Sequence, residues 1–500
     1  MLQPIRGRPS LRVTAPALAA TVVGLVAVAA SAVGSWVPSL WGDEAASLLS
    51  AERPLPTLWN EVVHVDAVHA AYYLFLHGWI QLFGTSAFAV RFPSALAVGA
   101  CAAAVVLIGR RMRSLPVGIA AGVICAVLPR IAYIGEEARS YAFSAAIAAW
   151  LTLLLILALS RHGRSRGLWI AYGILLAVGV YVFLYLALLA VAHGIVLLIA
   201  ARHRRVLIPW GIATGSAAIA VLPIVVAGAL EKRQIAFLAH RSEVTPESVL
   251  VSTWFGQVPF AVLGWVLLAA GLAIALIPWL RPRGRAGRRP IDLLVTAWFL
   301  VPAAVLIGTS PVVAGFTPRY LALCSPAVAL LMAFPLARLA TRWRPALAVG
   351  MAVVVAVGAV PWAAERGPYA KNESDWAVVS AELQRVAGPG DAVVFDEAAR
   401  PSRRPRLALR MYPIAVTLRD PTLETPYWRT NTWHDETITV AQAAARGRFD
   451  GVERVWAVEY ATPAKTDHDG IADLERLGFR PGARLSTHRS RILEFTRTAP

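Results

Sequence analysis

Ser35–Pro54 reads SWVPSLWGDEAASLLSAERP and places two adjacent carboxylates, Asp43 and Glu44, directly after an apolar run. That run, residues 15–37, is long enough to cross the ~30 Å hydrocarbon core of a bilayer as one helix. It is also longer than the ~7 to 15 apolar residues typical of a secretory signal peptide. The carboxylates therefore lie at a membrane boundary, as either a solvated loop or a chemical site.

The composition is that of a polytopic α-helical membrane protein, because 57% of the 500 residues are hydrophobic and only 16% are charged. In a soluble chain, the net charge of +18 would suggest a nucleic-acid partner. Here the arginines cluster in short links between apolar runs, which is the pattern of cytoplasmic loops. The charge therefore reflects topology, and we expect no nucleic-acid partner. The three cysteines all fall in apolar segments, which excludes a disulfide framework and a CxxC metal site.

Five arginine-rich links without acidic residues divide the apolar sequence, at residues 109–114, 160–167, 201–205, 281–290 and 337–345. Placing these links and the N-terminus in the cytoplasm requires an even number of crossings between successive links. Residues 168–200 are too long for one straight helix, so a hairpin of two short spans is favoured there. The predicted spans are residues 15–37, 93–109, 115–134, 141–160, 168–182, 184–200, 206–228, 258–280, 291–309, 319–337 and 345–363.

This count of about 11 transmembrane helices is odd, so everything after Trp362 lies outside the cytoplasmic membrane. Residues 1–364 then form the membrane domain, and residues 365–500 form an extracytoplasmic α/β domain. Within it, residues 374–396 read as a helix, a Gly/Pro turn and a buried strand, whereas VERVWAVEY and SRILEFTRT read as further strands. This domain lacks a phosphate loop and a nucleophile elbow, which favours a capping or acceptor-recruiting role.

Polar residues collect on the predicted outer face. The first outer loop, residues 39–92, includes AYYLFLHGWIQLFG, which at 14 residues is too short for an easy span and is suited to the membrane surface. The loop's candidate site residues are Asp43, Glu44, Asp66, His69 and Tyr72. Later outer turns add Arg139, Lys232, Arg319 and Tyr320.

The outer arginines indicate an anionic ligand. A cation at an outer helix end gains nothing from the positive-inside bias, and one that points into a helix bundle is costly unless an anion receives it. Arg139 and Arg319 each precede an apolar run directly, at the depth of a lipid phosphate. The alternative is an intramolecular ion pair, for instance of Arg139 with Glu136 or Glu137.

Four stretches in order resemble the polyprenyl-phosphate-dependent glycosyltransferases of the GT-C fold, the superfamily of protein O-mannosyltransferases and lipid A aminoarabinose transferases. They are WGDEAASLLSAERP (41–54), HVDAVHAAYYLFLHGWIQLFGTSAFAVRFPSALAVG (64–99), EEARSYAFSAA (136–146) and TPRYLALCSPAVALL (317–331). Bacterial membrane-bound mannosyltransferase-like proteins are the most similar group, and the resemblance covers most of residues 1–365.

The resemblance implies transfer of a sugar from a polyprenyl-phosphate donor to a hydroxyl acceptor outside the membrane, with Asp43 as the catalytic base and Glu44 beside it. It places Arg139 in an E-A-R-x-Y turn and Arg319 with Tyr320 in an Arg-Tyr pair. Many relatives have His-Pro-Pro where this chain reads VHAAYY, which leaves the role of His69 open.

This chemistry suits the residues present. A carboxylate that accepts the hydroxyl proton accelerates transfer by ~10²- to 10⁴-fold, and arginine neutralises a departing phosphate well. Arg139 and Arg319 are the candidate phosphate ligands, with Lys232 as a helper, whereas Glu44 orients Asp43, binds acceptor or is only solvated. An inverting single displacement needs one base.

The carboxylates and histidines of the outer loop could instead bind a divalent metal ion. Their spacing matches no ligand motif, so we expect no catalytic metal and no other cofactor.

A transporter or flippase for a lipid-linked anionic sugar is the alternative function. It would normally carry ionisable residues near the bilayer midplane, whereas here they collect on one face. Mannose is the default sugar by resemblance and arabinofuranose the next. The acceptor is a cell-envelope glycan, a lipoglycan or a protein. Besides donor and acceptor, the expected partners are membrane lipids.

Overall fold

The structure is a computed structural model that describes residues 14–161, 163–200, 204–231, 244–280, 289–310, 316–461 and 470–497. Its N-terminal part is helical throughout. The α-helices there are α1 (Ala15–Ala32), α2 (Gly42–Glu52), α3 (Leu55–His64), α4 (Ala70–Phe83), α5 (Ala87–Met112), α6 (Leu115–Val127), α7 (Pro129–Gly135), α8 (Tyr141–Ser160), α9 (Arg166–Val182), α10 (Ala187–Ala200), α11 (Arg204–Ala220), α12 (Leu222–Leu230), α13 (Val258–Leu280), α14 (Pro290–Thr309), α15 (Ser325–Ala340) and α16 (Ala346–Ala364).

The helices confirm the polytopic membrane architecture. Seven helical segments of the described ranges are long and apolar enough to span a bilayer: α1, α5, α8, α13, α14, α16, and α15 together with the 3₁₀ turn Pro318–Cys324. Two further segments are helix pairs bent by 62° (α6 with α7) and 49° (α11 with α12). Two shorter apolar helices, Arg166–Val182 and Leu184–Ala200, occupy the predicted hairpin. Helix thus coincides with all eleven predicted segments, while the number of membrane crossings stays a prediction.

Between α1 and α5, the predicted outer loop folds into α2, α3 and α4, which pack against one another at one end of the bundle. Helix α4 contains the segment predicted to lie on the membrane surface. It buries Leu76 and Ile80, whereas Leu74 and Leu82 on its other side are 57% and 77% exposed. An exposed apolar face beside spanning helices is suited to the membrane interface.

The C-terminal region contains every β-strand of the described residues. Four strands form one sheet in the order β1-β4-β6-β5, in which β1 pairs parallel with β4 and the other pairs are antiparallel. Strands β2 and β3 form a separate antiparallel ladder. The strands are β1 (Ala392–Phe395), β2 (Leu423–Thr425), β3 (Glu436–Thr437), β4 (Arg454–Tyr460), β5 (Phe479–Ser486) and β6 (Ser490–Arg497), and the helices are α17 (Trp376–Val386), α18 (Leu407–Met411), α19 (Val440–Ala445) and α20 (Ile471–Arg476).

The four-stranded sheet is the middle layer of this region. One face, which includes Val393 and Val458, joins a core with Leu383 of α17 and with the outer-loop helices. The opposite face, which includes Val394 and Val455, packs on α19 and α20. Alternate residues of a strand point to opposite faces, so these strands bury apolar side chains on both sides.

Buried polar contacts join the C-terminal region to the outer loop. Arg53 is fully buried, pairs with Glu61 at 3.0 Å and donates to the backbone carbonyls of Tyr427, Thr430 and Thr432. The Tyr427 hydroxyl in turn donates to Glu52 at 2.7 Å. The α/β region therefore lies at the same end of the bundle as Asp43.

Gly42 marks the closest approach of these two parts. A Cβ at this position would lie 2.3 Å from the carbonyl oxygen of Ser402, in the 3₁₀ turn Pro401–Arg403. Only glycine leaves room for that contact, one residue before Asp43.

Candidate active site

An ion pair between Asp43 and Arg319 lies at the centre of the candidate site. Asp43 is in the first turn of α2, where the helix dipole favours a negative charge, and Arg319 is in the 3₁₀ turn that leads into α15. Arg319 Nη1 lies 2.7 Å from Asp43 Oδ2. Their side chains are 25% and 24% exposed, so both remain accessible to a ligand.

Aromatic rings surround the Arg319 guanidinium. It lies over Trp41, 5.1 Å from the ring centroid, and near Tyr141 at 5.6 Å. The ring of Tyr320, which is predicted as a phosphate ligand, packs in an aromatic cluster with Tyr141 and Tyr185, at centroid distances of 6.2 and 5.3 Å. The cluster holds the turn that carries Arg319 and lines the adjacent surface with apolar atoms.

Arg139 is largely buried and holds the start of α2 against the outer loop. Its guanidinium donates to the backbone carbonyl of Asp43 at 3.3 Å, to Ser47 Oγ at 3.2 Å and to His69 Nε2 at 3.1 Å. The alternative of an ion pair with Glu136 or Glu137 is not observed for this side chain in the described structure. Glu136 pairs with Arg366 and Lys371 instead, each at 3.3 Å.

His69 acts as an acceptor toward Arg139 in this arrangement. Burial, followed by the charges of Arg139 and Arg319, lowers the pKa of His69 well below its usual value. The neutral imidazole can accept a hydrogen bond at Nε2, whereas the protonated ring could not. The structure thus places His69 beside Asp43's neighbour Arg139, and a role of His69 in the site stays a prediction.

Glu44 faces away from solvent, so the alternative of a solvated carboxylate is wrong. Its side chain is fully buried and accepts two hydrogen bonds from Arg91, at 2.7 and 2.6 Å, plus one from the backbone N–H of Ala138 at 2.9 Å. Arg91 also donates to the backbone carbonyls of Ser35 and Pro38. This geometry ties the start of α2 to α5, so Glu44 is held as a structural anchor beside Asp43.

Arg91 was not predicted as part of the site, although a charged residue inside an apolar helix already indicates a buried partner. Arg91 lies in the first turns of α5, the longest apolar helix among the described residues. A charged residue there requires a buried partner.

Glu137 was considered only as a partner for Arg139, but it belongs to the site. Its side chain is fully buried, and neither carboxylate oxygen has a hydrogen-bond partner in the described structure. Oε1 lies 4.0 Å from Arg319 Nη1. Burial raises the pKa of Glu137 to about 7, although Lys371 and Arg319 act in the opposite direction.

Asp66 and Tyr72 have different environments. Asp66 adopts a left-handed conformation at φ 61°, and its carboxylate accepts from the Tyr73 hydroxyl at 3.1 Å. Burial raises the pKa of Asp66. Tyr72, predicted to line the site, is 3% exposed and packs edge-on against Phe143 at 5.9 Å. Of the adjacent residues Tyr72 and Tyr73, it is Tyr73 that donates to the candidate site residue Asp66.

Lys232, the predicted helper cation, lies outside the described residues. Among those described, no group of three or more His, Cys, Asp or Glu side chains could hold a metal ion. Independence from a metal stays a prediction.

Comparison with solved structures identifies the architecture. ArnT from Cupriavidus metallidurans, solved with bound undecaprenyl phosphate, superposes with a TM-score of 0.59 at 13% identity, over 95% of this chain and 97% of ArnT. The oligosaccharyltransferase AglB from Archaeoglobus fulgidus, in complex with an inhibitory peptide and a dolichol-phosphate, gives 0.52 at 12% identity, over 88% of this chain and 69% of AglB. The mycobacterial arabinofuranosyltransferase AftD gives 0.50 at 16% identity, over 97% of this chain and 40% of AftD.

The chain therefore has the GT-C fold of polyprenyl-phosphate-dependent glycosyltransferases, which confirms the resemblance found in the sequence. Residues 70–227 match the family described as dolichyl-phosphate-mannose-protein mannosyltransferase, over less than half of the chain. No curated protein sequence matches the chain significantly.

Proposed function

We propose that the protein transfers a sugar from a polyprenyl-phosphate donor to a hydroxyl acceptor at the outer face of the cytoplasmic membrane. The observation that carries the proposal is the accessible ion pair of Asp43 and Arg319, which brings the proposed base into direct contact with the proposed phosphate ligand. Two proteins of the same fold were solved with a polyprenyl phosphate bound, which supports this donor class. The matching family supports mannose as the sugar, and AftD makes arabinofuranose the next choice.

The reaction is a single displacement with inversion. Asp43 accepts the proton of the acceptor hydroxyl as its oxygen bonds to the anomeric carbon of the sugar. The bond between that carbon and the phosphate oxygen breaks, and polyprenyl phosphate leaves with the bonding electrons. Arg319 stabilises the additional negative charge on the phosphate as it develops.

Before the donor binds, the guanidinium of Arg319 is paired with the carboxylate of Asp43. Arg319 Nη1 lies 2.7 Å from Asp43 Oδ2, so the guanidinium covers a carboxylate oxygen that would otherwise accept the hydroxyl proton. A donor phosphate competes for the same guanidinium and releases Asp43. This competition favours an order in which donor binds before acceptor.

Arg139 and Glu44 act in this proposal as positioning residues. Arg139 holds the Asp43 carbonyl and Ser47, and Glu44 anchors the same turn through Arg91. Both contacts fix the start of α2, so the Asp43 carboxylate keeps its direction during the reaction. Of the roles considered for Glu44, the proposal keeps the orientation of Asp43 and assigns it no step of the reaction.

The C-terminal region covers the acceptor side. Its 3₁₀ turn touches Gly42 directly, and its core is continuous with α2, α3 and α4. The surface beside Asp43 is therefore shaped jointly by the outer loop and the α/β region. This arrangement suits an acceptor such as a cell-envelope glycan, a lipoglycan or a protein.

Transfer from defined donors tests the proposal. Purified protein in vesicles would be supplied with radiolabelled polyprenyl-phosphate mannose or polyprenyl-phosphate arabinofuranose, and with envelope glycan from a strain lacking the gene. We expect label in the glycan from one donor and none with Asp43→Asn. Movement of intact donor across the vesicle membrane without any transfer would favour the transporter alternative. The altered envelope glycan of the deletion strain would identify the acceptor.

A further inference from the structure

An open groove lies between α9 and α11. Its volume is about 740 Å³, and most of its lining is apolar. Ile170, Ile174 and Ala177 line it from α9, and Ile212 and Ala213 line it from α11. At Gly173 the two helices touch, since a Cβ there would lie 3.1 Å from the Ala213 carbonyl oxygen, and this contact bounds the groove on one side.

The groove has one charged end. Arg164 and Arg166 line it at the start of α9, and both side chains are exposed. No aspartate or glutamate occurs in the sequence between Arg139 and Glu231, so neither wall of the groove supplies a carboxylate. No ion pair is formed by either arginine with another described residue. The polar end of the groove therefore offers two cations that no carboxylate in the described part of the chain neutralises.

A hydrogen bond links the two walls at the opposite end of the groove. The Tyr181 hydroxyl of α9 donates to the carbonyl of Ala220, a lining residue of α11, at 2.9 Å. From Arg166 to Ala177 the helix rises about 17 Å, roughly half of the hydrocarbon thickness. The cavity thus has the depth of a single leaflet, with its cations at the membrane surface.

The direction of α9 shows in which leaflet of the membrane the groove lies. Phe183, directly after α9, contacts Tyr141 and Tyr320 of the candidate site at centroid distances of 5.8 Å each. The arginine end of α9 consequently lies at the other face of the membrane. In the predicted topology this is the cytoplasmic face.

We propose that this groove binds one anionic phospholipid of the leaflet opposite the active site, with its phosphate on Arg164 and Arg166 and an acyl chain along α9 and α11. Basic pockets between spanning helices at the cytoplasmic side are suited to acidic lipid headgroups. A zwitterionic lipid would fill the apolar part equally well but leave both cations less well neutralised. The charge of the headgroup therefore decides which lipid the groove prefers. This proposal does not depend on the proposed sugar transfer.

Lipid retention tests this site. The intact protein would be purified in detergent, mixed with equimolar phosphatidylglycerol and phosphatidylcholine, and weighed by native mass spectrometry. We expect one phosphatidylglycerol retained on the parent protein in preference to phosphatidylcholine. Arg164→Ala with Arg166→Ala should weaken phosphatidylglycerol binding by roughly 30-fold, the combined effect of two arginines beside an anionic lipid.

Matched variants separate this site from general lipid contact. Arg342→Ala with Arg344→Ala removes two exposed arginines of another basic link and should retain the lipid. Ala177→Phe fills the groove and should reduce binding of both lipids, whereas Ala218→Phe, on an exposed position of α11 outside the lining, should not.

Three results would overturn the proposal. They are equal retention of the two lipids, unchanged retention in the Arg164/Arg166 variant, and preferential displacement of phosphatidylglycerol by undecaprenyl phosphate, which would make the groove a carrier site. If the Ala177→Phe variant does not fold, lipid retention by the arginine variants alone tests the proposal. Sugar transfer by the Arg164/Arg166 variant is measured separately, so failure of the lipid site is distinguishable from failure of the enzyme assignment.

Discussion

Arg319 lies between two carboxylates, in contact with Asp43 at 2.7 Å and 4.0 Å from Glu137, whose carboxylate accepts no hydrogen bond from the described residues. The Arg319 guanidinium thus lies close to both the proposed base, Asp43, and the buried carboxyl group of Glu137. An incoming phosphate would meet this guanidinium at the accessible edge of the site. The predictions below separate the roles of these three side chains from those of their neighbours.

Arg319→Ala should weaken productive donor binding by ~2 to 5 kcal/mol, because the donor phosphate would be left partly desolvated without its cation. Arg319→Lys should restore only part of this loss, since a point charge lacks the planar fork. The KM for donor and direct donor binding measure the effect, with Arg342→Ala as an exposed control. An unchanged donor KM in Arg319→Ala would mean that Arg319 serves only as the partner of Asp43.

Asp43→Asn should lower turnover by at least ~10²-fold while the protein still folds and binds donor, because the amide keeps the size of the side chain but not its basicity. The measurement is transfer of radiolabelled sugar alongside a donor-binding assay. Asp450→Asn, an exposed change in the C-terminal region, is the control. Near-parental turnover of Asp43→Asn would exclude it as the base.

Parental activity should resist chelation by EDTA if no metal takes part. Activity that EDTA abolishes and that a divalent ion restores would instead favour a metal-dependent site.

Glu44→Gln should act on stability more than on chemistry. Removing one partner of a fully buried ion pair leaves Arg91 uncompensated, which costs about 3 to 5 kcal/mol. Thermal unfolding in detergent should show a large fall in Tm, and Glu44→Leu combined with Arg91→Met should recover part of it. A Tm equal to that of the parent, with turnover lost, would return Glu44 to a direct catalytic role.

Glu137 makes stability depend on pH. Its pKa in the folded protein is about 7 against an ordinary value of 4.5, so the folded state binds more protons than the unfolded state between these values. Stability should therefore fall as pH rises from about 5 to 7, by roughly 1 kcal/mol per pH unit. Glu137→Gln cannot lose a proton and should flatten this part of the Tm profile. The exposed Glu247→Gln should leave the slope unchanged, and a parental slope in Glu137→Gln would contradict the assignment.

The predicted topology is checked with reporters that are active only outside the cytoplasm. A fusion after Arg410 should be active, and a fusion after Arg285 should be inactive. The reverse result at either site would contradict the eleven-span arrangement. It would also change the side of the membrane on which Asp43 and the α/β region lie together.

The sequence alone determined the membrane class, the position of most helices and the stretch with the proposed base. A spanning helix satisfies its backbone hydrogen bonds within its own segment, so the length of an apolar run is enough to predict it. The positions of the arginines then indicate the links between helices. The strands at Ala392–Phe395, Arg454–Tyr460 and Ser490–Arg497 were also predicted from the sequence, since each contains several β-branched or aromatic residues. The less regular strand Phe479–Ser486 was missed; most of its residues are exposed, and Pro481 and Gly482 interrupt it.

Only the tertiary structure decided which charged side chains meet. Asp43 and Glu44 are adjacent in sequence, yet helix α2 turns one toward an accessible arginine and the other into a buried pair with Arg91. Neighbouring residues on a helix point about 100° apart, so one can face a site while the next faces the bundle. The partners of both carboxylates come from helices far away in the chain, and no local pattern encodes their approach.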